Sequence, residues 1–437
     1  MIKTIQYPLR RIKLIVLKLN YAKSHRTGTI LFCVGFLAMS IFIGFNFGSL
    51  HLFRTESISN NGSISTYHSS AMFQRDFGRR GNVPLTTWNP KLEVIWKIKE
   101  KSPFYSSPAV VSGIVYSGTG DGRILAINQQ NGNLVWEYHA SGPIYSSPAV
   151  AGKLLYIGLQ DGAMLAISKD EGDLLWTFQA KGAIFSSPLV RNGYLYFASN
   201  EGFVYSLDAV SGQERWNRQL NEGVVSSVSI DGNVLVVACR DRNLYLLDSE
   251  TGNHRARFRS SSGTDGNAVI SDGIIYSISN KGLARSLSVT AKHIPLERTF
   301  RTIWAQMWVW QMAPPLPLPK SHNWVSKFSA RFLGNMVTDG KRLYLPAFNG
   351  MLYGVDSKIG QKIWEFDTGH PKLKSSPIVI GDTVLVGSSE GTLYGLTSAD
   401  GQEKWKFEIE GGLRGGPVYA DGALYLATDE GMLYAIR

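Results

Sequence analysis

Tyr105-Ser106-Ser107-Pro108-Ala109-Val110 returns as Tyr145-Ser146-Ser147-Pro148-Ala149-Val150 and again as Phe185-Ser186-Ser187-Pro188-Leu189-Val190. The spacing is 40 residues, and a fixed period of roughly 20–50 residues marks a repeat architecture whose units bury their apolar faces on one another. A weaker copy stands at Val225-Ser226-Ser227-Val228, and shorter ones at Ser375-Ser376-Pro377 and Gly415-Gly416-Pro417. About ten residues after each phrase come Tyr116, Tyr156, Tyr196, Val236, Tyr276, Tyr344 and Tyr425, in alternating runs such as LLYIG and YLYFA. Such β-branched and aromatic runs are strands. Asp121-Gly122, Asp161-Gly162, Glu201-Gly202, Asn349-Gly350, Glu390-Gly391 and Glu430-Gly431 supply the positive φ of tight hairpins. A tryptophan ends each unit, at 96, 136, 176, 216, 364 and 405.

Four short strands per unit define one blade of a β-propeller: inner (SSPAV), second (IVYSG), third (ILAIN) and outer (LVWEY). From Trp96 to Trp405 the chain covers seven periods with 29 residues over, and it stops just short of the next tryptophan. Strands near Pro417, Tyr425 and Tyr434 therefore need the strand around Trp96 to complete an eighth blade. The fold expected is all-β, an eight-bladed propeller closed by its N-terminal strand, which leaves no open sheet edge. Nearly all the surplus falls between Trp216 and Trp364, so the insertion is local.

Gly132-x-x-x-Trp136, Gly172-x-x-x-Trp176, Ser211-Gly212-x-x-x-Trp216, Gly360-x-x-x-Trp364 and Asp400-Gly401-x-x-x-Trp405 resemble the PQQ-type repeat A-x-D-x-x-T-G-x-x-x-W; Asp248-x-x-Thr251-Gly252 keeps the pattern with Ala256 for the tryptophan. The resemblance covers about residues 88 to 437. It implies that Trp96, Trp136, Trp176, Trp216, Trp364 and Trp405 dock neighbouring blades. It leaves function open, because the eight-bladed family includes quinoprotein dehydrogenases, which bind the quinone and calcium, and BamB-like assembly scaffolds, which bind no cofactor.

The 437-residue chain carries 45 Lys and Arg against 34 Asp and Glu, but seven of the bases, from Lys3 to Arg26, lie at the N-terminus, and no acid occurs before Glu56. The remaining body is nearly balanced, so nucleic acid is not an expected partner. Residues 1–28 read as a basic cytoplasmic tail. Thr29 to Gly48 is apolar for the ~20 residues a bilayer core requires, so a transmembrane helix is expected over 29–50. The basic flank places the N-terminus in the cytoplasm and the propeller outside the inner (plasma) membrane, in the periplasm or its equivalent. Ser-, Asn- and Gly-rich residues 51–87 read as a flexible linker, and residues 88–437 as the propeller. Asn61-Gly62-Ser63 is a glycosylation sequon within that linker.

Catalytic signals are sparse. Quinoprotein dehydrogenases of this resemblance hold the quinone against an adjacent cysteine pair, whereas Cys33 lies in the apolar run and Cys239 stands alone in a strand. Neither PQQ nor calcium is expected, and the eight histidines show no ligand spacing. Gly387-Ser388-Ser389-Glu390-Gly391 aligns with a repeat hairpin, not a nucleophile elbow. The stretch that escapes the repeat is 301–328, with Trp304, Met307, Trp308, Trp310, Pro315, Pro317 and Trp324. Trp304 and Trp308 fit a short helix stopped by prolines, and aromatic and Met side chains serve as interface anchors. Two readings stand: a partner-binding insertion, or a cap on its own blade. Lys372, Lys374 and Arg414, before the seventh and eighth inner strands, form a second candidate beside the reading as solvated loop charge. The expected function is a membrane-anchored, non-catalytic, monomeric scaffold for a protein partner in the cell envelope. The alternatives are a quinone- or carbohydrate-binding module, a PQQ-dependent dehydrogenase, and an accessory subunit of polysaccharide or lipid export.

Overall fold

In a computed structural model, residues 72–85, 88, 90–291, 297–314, 321–370 and 372–437 are described. The expected membrane helix over 29–50, the cytoplasmic tail and the sequon at Asn61 lie outside them. Among the described residues no helix is long and apolar enough to cross a membrane.

The strands form eight antiparallel sheets of four consecutive-neighbour strands, one of them extended by a fifth. Blade 1 is Ala109–Val111, Ile114–Gly118, Arg123–Asn128 and Leu134–His139. Blades 2, 3 and 4 repeat this over 149–179, 189–219 and 229–259, blade 5 over 269–327, blade 6 over 337–367 and blade 7 over 378–408. Blade 8 takes three strands from 418–436, and its outer strand is Val94–Lys99, paired antiparallel to Met432–Ile436.

Burial follows position in the blade. Ile124, Leu125, Ala126 and Ile127 of a third strand are all buried, because a central strand is covered on both faces by the neighbouring sheets. Outer strands such as Leu134–His139 alternate, as rim strands with one wet side must. Every outer strand carries a bulge at the same place, between Leu134 and Trp136 in blade 1, which puts the tryptophan on the face of the next blade.

The serine phrase has a different role from the one its sequence suggests. The inner strand starts at Ala109, and Ser106-Ser107-Pro108 precedes it. The second serine bonds the preceding blade: Ser107 N–H donates to Ser147 Oγ (3.1 Å), Ser147 N–H to Ser187 Oγ (3.0 Å) and Ser187 N–H to Ser227 Oγ (2.8 Å). Asn267 and Asn335 continue the ladder in blades 5 and 6, and Gly416 N–H of blade 8 donates to Ser107 Oγ of blade 1 at 2.7 Å. Each buried bond is worth about 1 kcal/mol net and would cost more if one side were left unmade.

The tryptophans are wedges. Trp136 Nε1–H donates to Lys169 O (3.0 Å), and the ring lies under Gly172 of the following blade, where a Cβ would stand 2.8 Å from ring carbon. Trp96, Trp176, Trp216 and Trp364 repeat the arrangement against Gly132, Gly212, Gly252 and Gly401. So does Trp324, which donates to Ser357 O (2.8 Å), lies against Gly360 and is 4% exposed. Its expected role at a partner surface is corrected: it is the docking tryptophan of blade 5. The insertion therefore lies between the strands Leu283–Ser288 and His322–Lys327, earlier than the 301–328 expected. Trp405 is met by Trp88, which packs edge-on against it with centroids 5.8 Å apart.

One seam lacks the device. Ala256 replaces the blade 4 wedge, and the blade 5 loop that would have carried the covering glycine is the insertion. There Arg285, wholly buried, donates to Ser277 Oγ, Arg259 O and Phe258 O, and the His322 ring meets Phe258 edge-on. Burial pushes the Arg285 guanidinium down to about 10 and, with Arg285 and Arg301 nearby, the His322 imidazole down to about 4.

Candidate functional site

Successive antiparallel strands put the second-to-third hairpins and the outer-to-inner connectors at one end of each blade, the upper face. The inner turns and the third-to-outer loops form the lower face. The two sets of sequence candidates fall on opposite faces: Lys372, Lys374 and Arg414 on upper connectors, the Trp/Pro insertion on a lower loop. The structure does not bring them together.

At the upper mouth of the channel, the residues before the first three Ser-Ser-Pro phrases form an aromatic row. Tyr105 and Tyr145 stack with centroids 4.8 Å apart, Phe185 meets Tyr145 at 5.5 Å, and the Arg414 guanidinium lies 5.2 Å from the Tyr105 centroid while pairing with Asp429. Lys374 and Arg331 flank Phe348 at 5.9 and 5.4 Å. Lys374 and Arg414 occupy equivalent places in adjacent blades, and each already lies over an aromatic ring.

In the insertion, helix α1 (Glu297–Val309) ends in a turn where Met312 N–H donates to Met307 O and Trp304 Nε1–H to Pro314 O (3.1 Å). Met307 is 9% exposed and faces inward. A side chain so buried offers a partner little area. Trp308 and Trp310 are 49% and 60% exposed. Pro315 and Pro317 lie outside the described residues. Every exposed large apolar side chain among the described residues lies toward the lower face, on the insertion that grows from it or on the segment after Val83: Val94 and Ile95, Leu134 and Val135, Leu174 and Leu175, and Ile363 at the starts of the outer strands of blades 8, 1, 2 and 6, and the others on lower loops, on α1 and the turn that follows it, or after Val83.

The channel holds what composition concealed. The linker expected over 51–87 gives way, by Met72, to a strap across the inner strands. Its backbone is tied down because inner-strand N–H groups facing the axis need acceptors. Asn82–Val83 pairs parallel with Val379 and Ile380. Arg79, wholly buried, donates through Nε to Val228 O (3.0 Å), through Nη2 to Ser187 O (3.0 Å) and Pro188 O (3.3 Å), and through Nη1 to Phe73 O (2.6 Å). Burial lowers its pKa to about 9 against the opposing pull of the Asp76 carboxylate, so it stays charged at neutral pH, its donors met by backbone carbonyls. Beside the strap a cavity of about 20 Å³ remains, lined by Phe73, Ser107, Ser376 and Gly416 among others, room for about one water. Sequence reasoning missed Arg79 because it lies outside the repeat; the Phe77-Gly78-Arg79-Arg80-Gly81 run amid polar residues was the only signal.

Among the described residues no group of three or more His, Cys, Asp or Glu is placed to hold a metal ion. Cys239 is buried among Val224, Val237 and Tyr245, and burial first of all pushes its thiol up to about 12, which silences it as a nucleophile.

Eight four-stranded blades, wedge tryptophans and a serine ladder define a β-propeller of PQQ-type repeats. The chain belongs to the family described as outer membrane protein assembly factor BamB, whose model matches residues 89–191, 181–282 and 320–436. No curated protein sequence matches it. Among solved structures it is similar to BamB from Moraxella catarrhalis, with 18% identity, TM-score 0.64 and coverage of 79% of this chain and 97% of that one. It is also similar to the quinohemoprotein alcohol dehydrogenase of Comamonas testosteroni (14%, TM-score 0.68, 84% and 80%) and to the computationally designed Ika8 protein (14%, TM-score 0.65, 80% and 99%). An assembly factor, an enzyme and a designed ring share this fold, so the fold alone selects no activity.

Proposed function

We propose that this chain is a non-catalytic scaffold that holds a protein partner of the cell envelope against its lower face, with Trp308 and Trp310 of the insertion as anchors. One observation carries the reading: exposed large apolar side chains are confined to that face, its insertion and the segment after Val83, while the upper face has none among the described residues. Such concentration marks an interaction surface, and exposed tryptophans are frequent energetic anchors. The apolar run from Thr29 to Gly48 would tether the scaffold to the inner membrane with the propeller exported, and the pairing of Val94–Lys99 with the last strand would close the ring. Quinone chemistry fits poorly: a space of about one water beside the strap does not admit a three-ring cofactor, and Cys239 has no neighbouring cysteine.

The test is photo-crosslinking in cells from positions 134, 308 and 374, with the captured protein identified by mass spectrometry. The reading expects one envelope protein at 134 and 308, with capture from 134 lost in a Trp308→Ser/Trp310→Ser variant whose melting temperature is unchanged. Capture from 374 alone, or capture indifferent to the double substitution, would overturn it.

A further inference from the structure

We propose that the central channel is a binding site for a turned peptide of the form Gly-Arg-x-Gly, and that this chain occupies it with its own Gly78-Arg79-Arg80-Gly81. The site is independent of the lower-face surface.

Four backbone donors at the same repeat position carry it. Ile230 N–H donates to Phe77 O (2.8 Å), Ile270 N–H to Gly78 O (2.8 Å), Thr338 N–H to Arg80 O (2.9 Å) and Val379 N–H to Gly81 O (2.9 Å). Each is the second residue of an inner strand, in blades 4, 5, 6 and 7. The repeat has thus built a row of donors facing the axis, one per blade, and the segment meets it in a turned conformation, with Arg79 and Gly81 at φ +59° and +62° and Gly81 N–H donating back to Gln74 O. Specificity comes from three places. The carbonyls of Ser187, Pro188 and Val228, at the entries to the inner strands of blades 3 and 4, converge on one guanidinium; lysine has no planar fork to reach all three. At Gly78 a Cβ would stand 2.3 Å from Ile270 O, and at Gly81, with φ +62°, 2.5 Å from Val337 Cγ1. The Gln74 amide adds a bond to Met336 O and accepts one from Asn267. Around Gly78–Gly81 the groups named act through their backbone except Val337, so the channel reads Gly, Arg and Gly and leaves the position between Arg79 and Gly81 unread, while the Arg191 guanidinium lies over the Phe77 ring just before them.

The consequence is exchange: a partner segment with the same pattern competes with the strap. The experiment uses the full chain with a protease site inserted after Leu85, cut after folding. A fluorescein-labelled peptide of residues 72–83 is then added, and anisotropy is read while circular dichroism follows the fold. The wild-type peptide should exchange into the channel, and peptides carrying Arg79→Met or Gly78→Ala should bind at least tenfold more weakly. Failure of the wild-type peptide to enter an intact propeller, or equal binding by the Arg79→Met peptide, overturns the proposal. Should cutting unfold the protein, the uncut Arg79→Met chain decides: it should take up wild-type peptide that the wild-type chain excludes, and refusal overturns the proposal equally.

Discussion

Gly172 shows how much a single repeat position carries. Its φ of +82° lies in the left-handed region, and a Cβ there would press into the Trp136 ring at 2.8 Å. Gly152 shares the left-handed backbone, at φ +60°, but a Cβ would meet nothing within 4 Å. Gly152→Ala should therefore cost about 1 kcal/mol, the conformational term alone. Gly172→Ala should cost ~3 kcal/mol or more, because the wedge must shift as well. Urea denaturation of both variants checks the difference; equal losses would mean that the wedge tolerates displacement. The glycine and tryptophan were legible in the sequence because they recur at a fixed interval. Trp324 was not, since the insertion moved it off the interval counted from Trp216, although it stands 40 residues before Trp364. The same contrast yields a second prediction. Trp324→Ala should destabilise by ~3–5 kcal/mol as a buried wedge, and Trp308→Ala by less than about 0.5 kcal/mol as an exposed side chain.

The blade 4–blade 5 seam is the element that departs from the repeat, and its substitute chemistry makes it sensitive to pH. His322 is held neutral, its pKa lowered to about 4 by burial and by Arg285 and Arg301. In the unfolded chain the same imidazole takes up a proton near pH 6.5. Between these values the unfolded state binds more protons, so stability is full above about pH 6.5 and falls as the pH drops toward 4. Discounted for the partial exposure of the ring, the loss should be on the order of 2 kcal/mol. A His322→Gln variant should show a flatter profile through that window in melting temperature against pH; an unchanged slope would assign the sensitivity elsewhere. Strand order within each blade was readable from alternation and hairpin glycines, and the insertion was visible as a surplus. Its ends were not, because residues from Val289 onward show neither a period of two nor the repeat's turn.

For the whole molecule, the N-terminal segment of the described chain, residues 72–99, does two separable jobs, and composition disclosed one. Val94–Lys99 was legible as a missing outer strand, because the count of periods demanded it. The strap was not, because Ser-, Asn- and Gly-rich sequence upstream resembles a linker and nothing in a local pattern announces hydrogen bonds to four blades. Truncations separate the two. A chain beginning at residue 72 keeps strap, Trp88 and outer strand, and should unfold cooperatively at the temperature of the full chain. One beginning at residue 84 leaves Ile230, Ile270, Thr338 and Val379 without the strap's acceptors, and about 1 kcal/mol for each bond puts the expected loss near 4 kcal/mol. One beginning at residue 100 also strips the pairing partner from Met432–Ile436 and the wedge from beneath Gly132. Its last blade is then a three-stranded sheet with an exposed edge, and it should lose cooperativity and aggregate. Scanning calorimetry on the three distinguishes a ring held by both ends of the chain from one that merely encloses a strap: equal stability of the second and third would exclude the N-terminal strand as a structural member.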